Sequence, residues 1–318
     1  MIITLKNTET REISAKIDEL HEERGEAALG RVLTLLISTN DSELEHDLEV
    51  ANSASREHPC RVIAIAPSSR KVEPDVEGGE HHTFLDAEVR FGSDAGAGEI
   101  IVLRPLGGLV HHPDTLVIPL LVPDAPVVAW WPNEAPANLS SDLLGSMARS
   151  RITDAMNSSN PARTMDDLRR NWSSENVDMS WTRLTVWRAM IASMLDQPPH
   201  LPVSGVRVTG PADFLPTTLL AAWLRLRLNV PVVVEDDPTA TAVTGVYLTR
   251  SDGTLSLERP STDDGIAMLS VPGQSPQTMS VPARTIEECL SEELGRLYPD
   301  EIYAEVVTRG WDLINPKH

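Results

Sequence analysis

Cysteine is scarce in this 318-residue chain: Cys60 and Cys289 are the only two, far apart. Neither a disulfide framework nor a cysteine-based zinc cluster can organise it, and a reducing cytoplasm suits it. No segment approaches the ~20 continuous apolar residues of a membrane-spanning helix. The opening MIITLKNTETREISAKIDEL lacks the basic stretch and apolar run of an export signal. Basic residues are few, 27 Lys and Arg against 47 Asp and Glu, giving a formal charge of −20 that repels nucleic-acid phosphates and anionic lipid alike. These absences predict a soluble cytoplasmic protein with neither nucleic acid nor membrane as partner. The same charge also suits a plain solvated surface.

Catalytic signatures are missing too. There is no G-x-G-x-x-G after a strand, no G-x-x-x-x-G-K-[ST], no G-x-S-x-G, no H-E-x-x-H and no EF-hand loop. Gly107-Gly108 follows a strand but suits an ordinary turn. His81-His82 and His111-His112 could offer imidazoles to a metal, yet adjacent residues on a strand face opposite ways, and solvated loop histidines account for them. Asp124, Glu134, Asp142 and Asp154 surround a proline-rich passage, but among 47 carboxylates such a grouping arises by chance. Cys60, after His58, begins an apolar strand where a thiol is buried and inert; Cys289 has Glu287 and Glu288 beside it, which disfavour a thiolate. The expectation is no catalytic residue, no metal and no cofactor.

What is present is a patterned α/β chain. Ile13, Ile17 and Leu20, with Ala27 or Ala28, predict a one-sided helix over 9–28. RVLTLLIST at 31–39, a helix from Asp41 to Ser55 and HPCRVIAIAP at 58–67 make a βαβ unit with a parallel sheet. Strands at 84–91 and 99–104 form a hairpin around GSDAGAGE, and prolines break 116–132 into a short helical piece and a strand at 126–131. Residues 133–180 are polar and carry the domain boundary. A helix at 181–196, the pattern strand 205–210, helix 215–228, strand 231–236, a hairpin of 244–250 with 254–260, and a helical region at 284–309 complete the chain. The fold class expected is two α/β domains, 1–170 and 171–318, with mixed, partly parallel sheets flanked by helices.

Phe and Tyr number three each, yet there are seven tryptophans, and Trp130, Trp131, Trp172, Trp181 and Trp187 fall in one region of sequence. Tryptophan anchors interfaces as readily as it packs domains. Arg149, Arg151, Arg169, Arg170, Arg183 and Arg188 concentrate there as well. They suit an acidic partner surface, a phosphorylated metabolite or internal ion pairs.

The strings HPCRVI at 58–63, VIPLLVPDAPVVAWWP at 117–132, RITDAM at 151–156, DMSWTRLTVWR at 178–188 and LLAAWLRLRL at 219–228 carry a resemblance. In order and spacing they resemble the signatures of the actinobacterial OpcA family, the glucose-6-phosphate dehydrogenase assembly proteins, over nearly the whole chain. The resemblance implies a non-catalytic partner that promotes assembly or the active conformation of that dehydrogenase, and so NADPH formation in the oxidative pentose phosphate pathway. Candidate partner-binding residues are Trp130, Trp131, Arg151, Trp181, Arg183, Trp187 and Arg188. Cyanobacterial relatives are associated with thioredoxin control through cysteines; here Cys60 and Cys289 are expected in separate domains, which argues against a redox switch. The alternative is a sugar-phosphate-binding sensor or enzyme with a site between the two α/β domains.

Overall fold

The computed structural model describes residues 1–24, 32–68, 84–91, 98–261 and 265–315. In chain order these contain β1 (Ile2–Leu5), α1 (Thr10–Arg24), β2 (Leu33–Ser38), α2 (Leu44–Ala54), β3 (Cys60–Ile65), β4 (Phe84–Arg90), β5 (Glu99–Leu106), α3 (Pro113–Val117), β6 (Val127–Trp131) and β7 (Ser150–Thr153). There follow α4 (Pro161–Arg170), β8 (Asn176–Asp178), α5 (Met179–Thr182), α6 (Thr185–Leu195), β9 (Gly205–Gly210), α7 (Leu215–Leu228), β10 (Val232–Asp236), β11 (Gly245–Arg250) and β12 (Gly253–Glu258). The last are β13 (Ile266–Ser270), β14 (Gln277–Ser280), α8 (Ile286–Gly295), α9 (Glu301–Glu305) and α10 (Trp311–Ile314). The fold is α/β, with two mixed sheets flanked by helices, as the patterning predicts. Two compact units emerge: Met1–Asn160 with Glu175–Val177 and Ile286–Tyr298, and Pro161–Ser174 with Asp178–Thr285 and Pro299–His318.

The first unit is built on an eight-stranded sheet in the order β1-β4-β5-β3-β2-β6-β7-β8. β2 runs parallel to β3 and to β6, whereas β4 is antiparallel to β5 and β1. The unbroken apolar run of β2 follows from its central place: both faces are covered, so Leu35, Leu36 and Ile37 are all fully buried. Trp130 and Trp131, neighbours on β6, point to opposite faces and are both buried, which is the same covering seen from the next strand. In α1, Ile13, Ile17 and Leu20 are the buried stripe. Its start is closed by the Thr8 hydroxyl, which donates to Glu12 at 2.7 Å while the Glu9 N–H donates to the same carboxylate. The predicted continuation of this helix past Arg24 lies outside the described residues.

Helix α8 returns to this unit and packs on α2, with Ser291 Oγ donating to Glu57 at 2.6 Å. Cys289 therefore sits in the same unit as Cys60, not in a separate domain, because the chain comes back to cover α2. Both thiols are free and buried, and burial pushes the Cys60 thiol up to about 12. Neither is placed for ready oxidation.

The second unit carries a six-stranded sheet, β10-β9-β11-β12-β13-β14. β9 and β10 are parallel across the α7 crossover and the remaining pairs are antiparallel. α7 packs on β9 and β10. It ends at Asn229, whose left-handed φ of 52° closes the last turn, with Pro231 just beyond. In the β11–β12 hairpin Arg250 is paired with Gly253, where φ is +135° and a side chain would be strained. One face of this sheet buries Val208, Val246, Leu248 and Leu257; the register puts Val233, Arg207, Tyr247, Ser256 and Met268 on the other. On that second face Val233 is 60% exposed and Met268 39%. Among the described residues no helix is long and apolar enough to cross a membrane.

One buried carboxylate gives the first unit a pH dependence. Asp47, in the first turn of α2, is 3% exposed; burial pushes its carboxyl up to about 6, against a short hydrogen bond from the Thr39 hydroxyl. A carboxyl raised in the folded state favours folding while protonated, so its contribution is lost as pH rises from about 4 through about 6. Asp47→Asn should stabilise the unit at pH 7 by on the order of 1 kcal/mol, discounted for solvent screening, and the gain should shrink toward pH 5. Paired urea titrations of both proteins at the two pH values read this directly; an equal gain at both would mean that Asp47 ionises normally.

Candidate functional site

The segment 178–188 is positioned by a local cap. Asp178 accepts from the Ser180 N–H at 2.9 Å and starts α5, and the chain then restarts as α6 after Leu184, so the single helix expected over 181–196 is two. Trp181 is fully buried; its indole N–H donates to Asp300 Oδ2 at 2.8 Å. Asp300 also caps α9 by accepting from the Tyr303 N–H at 2.9 Å. Around this pair the Tyr303 ring lies 5.7 Å from Trp181 and 5.5 Å from Trp172, and the Arg188 guanidinium lies 3.8 Å over the Trp181 ring. Such a stack orders α5, α6 and α9 through aromatic and cation–π attraction as well as buried area.

Beside it, inside the second unit, is a cavity of about 340 Å³ whose wall includes Arg183, Trp187, Phe214, Val243, Arg259 and Arg284. Among the described residues no acidic side chain lines it. Arg259 is 2% exposed, and its two terminal nitrogens donate to the carbonyls of Val281 at 2.9 Å and Val243 at 3.0 Å. Its guanidinium lies 5.4 Å from the Trp187 ring. Burial pulls this guanidinium below its ordinary value, though not far enough to discharge an arginine. Arg284 donates to the Thr182 carbonyl at 3.0 Å, tying the end of α5 to the cavity wall.

The candidate residues thus fall into three groups. Trp181 and Arg188 stack on each other, and Arg183 and Trp187 line the cavity. Trp130, Trp131 and Arg151 belong to the first unit, where Arg151 is buried and donates to the Gly145 carbonyl at 2.7 Å and to Asn176 at 3.2 Å. Trp130, Trp131, Trp181 and Trp187 are each at most 3% exposed, so they present little area; Arg183 and Arg188 are half-buried. Arg169 is taken up by Asp312 at 2.6 Å, the Val307 carbonyl and the Trp311 ring, and Arg170 by Asp167 at 2.9 Å.

The other positions to which the sequence draws attention are otherwise occupied. Gly107 makes a turn with φ of +65°, and His111 and His112 are exposed. Asp142 caps the Leu144 and Gly145 N–H groups, and Glu134 accepts from the Ser159 N–H at 2.6 Å. His81 and His82 lie outside the described residues. Among the described residues no group of three or more His, Cys, Asp or Glu is placed to hold a metal ion.

Arg259 and Arg284 do not stand out in the sequence, although for Arg259 a signal exists. Leu255, Leu257 and Arg259 share one face by strand alternation, so the pattern that buries the leucines buries the arginine. Arg284 sits in an irregular segment after Pro282 and carries no such signal.

Comparison with known families finds both domains described for the glucose-6-phosphate dehydrogenase subunit of the OpcA type: residues 51–170 match its N-terminal domain and residues 174–307 its C-terminal domain. No curated protein matches the chain. Among solved structures, a myo-inositol 2-dehydrogenase from Lactobacillus plantarum aligns over 86% of this chain and 89% of its own, with 8% identity and a TM-score of 0.35.

Proposed function

This chain belongs to the OpcA family of glucose-6-phosphate dehydrogenase assembly proteins, and on that footing we propose that it is a non-catalytic assembly factor and allosteric activator of glucose-6-phosphate dehydrogenase. The observation that carries this reading is the match of both domain families, in order, to one chain. In this role it supports NADPH production in the oxidative pentose phosphate pathway from the cytoplasm. An activator must bind the active state of its partner more tightly than the inactive one, since affinity alone shifts no equilibrium.

Half-buried Arg183 and Arg188 are the side chains of the candidate set best able to touch the dehydrogenase. The tryptophans beside them act by holding those arginines in place. The exposed sheet face bearing Val233 and Met268 offers apolar area of the kind that partner surfaces cover. The test is the dehydrogenase of the same organism, assayed across glucose 6-phosphate concentrations with and without this protein, beside a co-elution run. A shared peak with raised kcat or lowered KM is expected. Separate peaks and superimposable kinetics, with both proteins folded, would remove the reading.

A further inference from the structure

We propose that the cavity beside α7 is a binding site for a small phosphate monoester. Three guanidinium-bearing residues, Arg183, Arg259 and Arg284, line one cavity with no acidic side chain among its described walls, in a chain whose formal charge is −20. Arginines bury fully only when their charge is answered, and Arg259 is 2% exposed. Two backbone carbonyls and the Trp187 ring answer part of it. Its Nε is buried with no hydrogen-bond partner among the described residues. A guanidinium presents five N–H donors in a planar fork suited to phosphate oxygens, and the two bonds to carbonyls leave donors over.

The start of α7 adds to the same potential. Phe214 occupies its N-cap with no side-chain hydrogen bond, Pro216 sits in the first turn, and no acidic residue lies there; both Phe214 and Pro216 line the cavity. An uncapped helix start carries partial positive charge and favours an anion. A monoester suits a guanidinium fork better than a carboxylate does, because it carries nearly two negative charges and three acceptor oxygens at neutral pH. The cavity, at about 340 Å³, is of the size that holds small metabolites. Trp187, Phe214 and Val243 give it an apolar wall for the organic part of the ligand.

Binding to the isolated full chain needs no dehydrogenase, so its outcome is separable from that of the proposed function. Isothermal titration at low salt would use a hexose monophosphate, its parent hexose and inorganic phosphate as probes. The monophosphate should bind at least tenfold more tightly than inorganic phosphate, the hexose should give no heat, and affinity should fall as salt rises. Arg284→Ala, at the partly exposed rim, should weaken the monophosphate at least tenfold with an unchanged circular dichroism spectrum. Arg259→Lys, which keeps the charge but loses the fork, should weaken it as well, whereas Arg207→Ala on the distant sheet face should not. No heat from the folded wild type at millimolar monophosphate, or equal affinity in wild type, Arg284→Ala and Arg259→Lys, would overturn the proposal.

Discussion

Trp181→Ala is expected to destabilise the second unit by about 3–5 kcal/mol, the cost of truncating a fully buried indole and leaving its cavity. The loss is larger than buried area alone. Asp300 keeps its bond from the Tyr303 N–H but loses the indole donor at 2.8 Å, and Arg188 loses the ring 3.8 Å beneath it. Trp181→Phe separates these effects, because it keeps a ring in the stack while removing the N–H. It should cost about 1–3 kcal/mol, in the range of a lost hydrogen bond to a charged acceptor. Urea titration gives the totals, and hydrogen exchange over 178–188 and 300–307 shows whether the loosening is local. A Trp181→Ala protein within about 1 kcal/mol of wild type would contradict this packing.

The same variant separates packing from contact in the dehydrogenase assay. At a temperature where Trp181→Ala remains folded, activation should fall no further than in Arg188→Ala, because a fully buried indole acts through the arginine stacked on it, while a larger loss would make Trp181 part of the contact. Arg183→Glu provides the contrast. Its side chain is half-buried, so reversing its charge in a protein that remains folded should weaken association.

Much of this architecture is legible in local pattern. Helix α7 runs over 215–228 as predicted because its punctuation is explicit: Pro216 in its first turn, Asn229 in the left-handed region, Pro231 beyond. The β2-α2-β3 unit and the β11–β12 hairpin are equally plain, since apolar run and turn chemistry agree. Helix α4 hides inside a polar stretch because only Met165 and Leu168 face inward on it, too few to show a period, although Pro161 in its first turn suits a start. Strands β7, β8 and β14 are four residues or shorter. Segments of that length offer too few alternations to distinguish from loop.

Long-range placement is not legible at all. Nothing local to IEECLSEELG says that α8 packs on α2 in the first unit, and so nothing there could reveal that Cys60 and Cys289 share a unit. The candidate site divides along the same line. Trp181 with Arg188, and Trp187 with Arg183, are close in sequence and stand in one distinctive string. Arg259 and Arg284 reach the same cavity from far downstream, through a strand pairing and a loop that only the fold brings together.

Glu99→Ala should cost the first unit about 3–5 kcal/mol, because it removes the carboxylate of a buried ion pair and takes from Arg61 its opposite charge. Glu99 is fully buried at the start of β5, where its two oxygens meet His21 Nε2 at 2.8 Å and Arg61 Nε from β3. Arg61 is further held by the Leu120 carbonyl at 2.7 Å, so it cannot swing out to water without breaking a second bond. A buried ion pair is dear to form as well as to break, and replacing both partners by apolar groups often leaves stability little changed. Arg61→Leu combined with Glu99→Leu should therefore recover at least half of what Glu99→Ala loses, despite the donor withdrawn from Leu120. The double-mutant cycle, completed with Arg61→Leu and Glu99→Leu alone, should return a coupling energy of about 1–3 kcal/mol. Independent, additive losses would mean that the carboxylate does not tie β3 to β5 through Arg61.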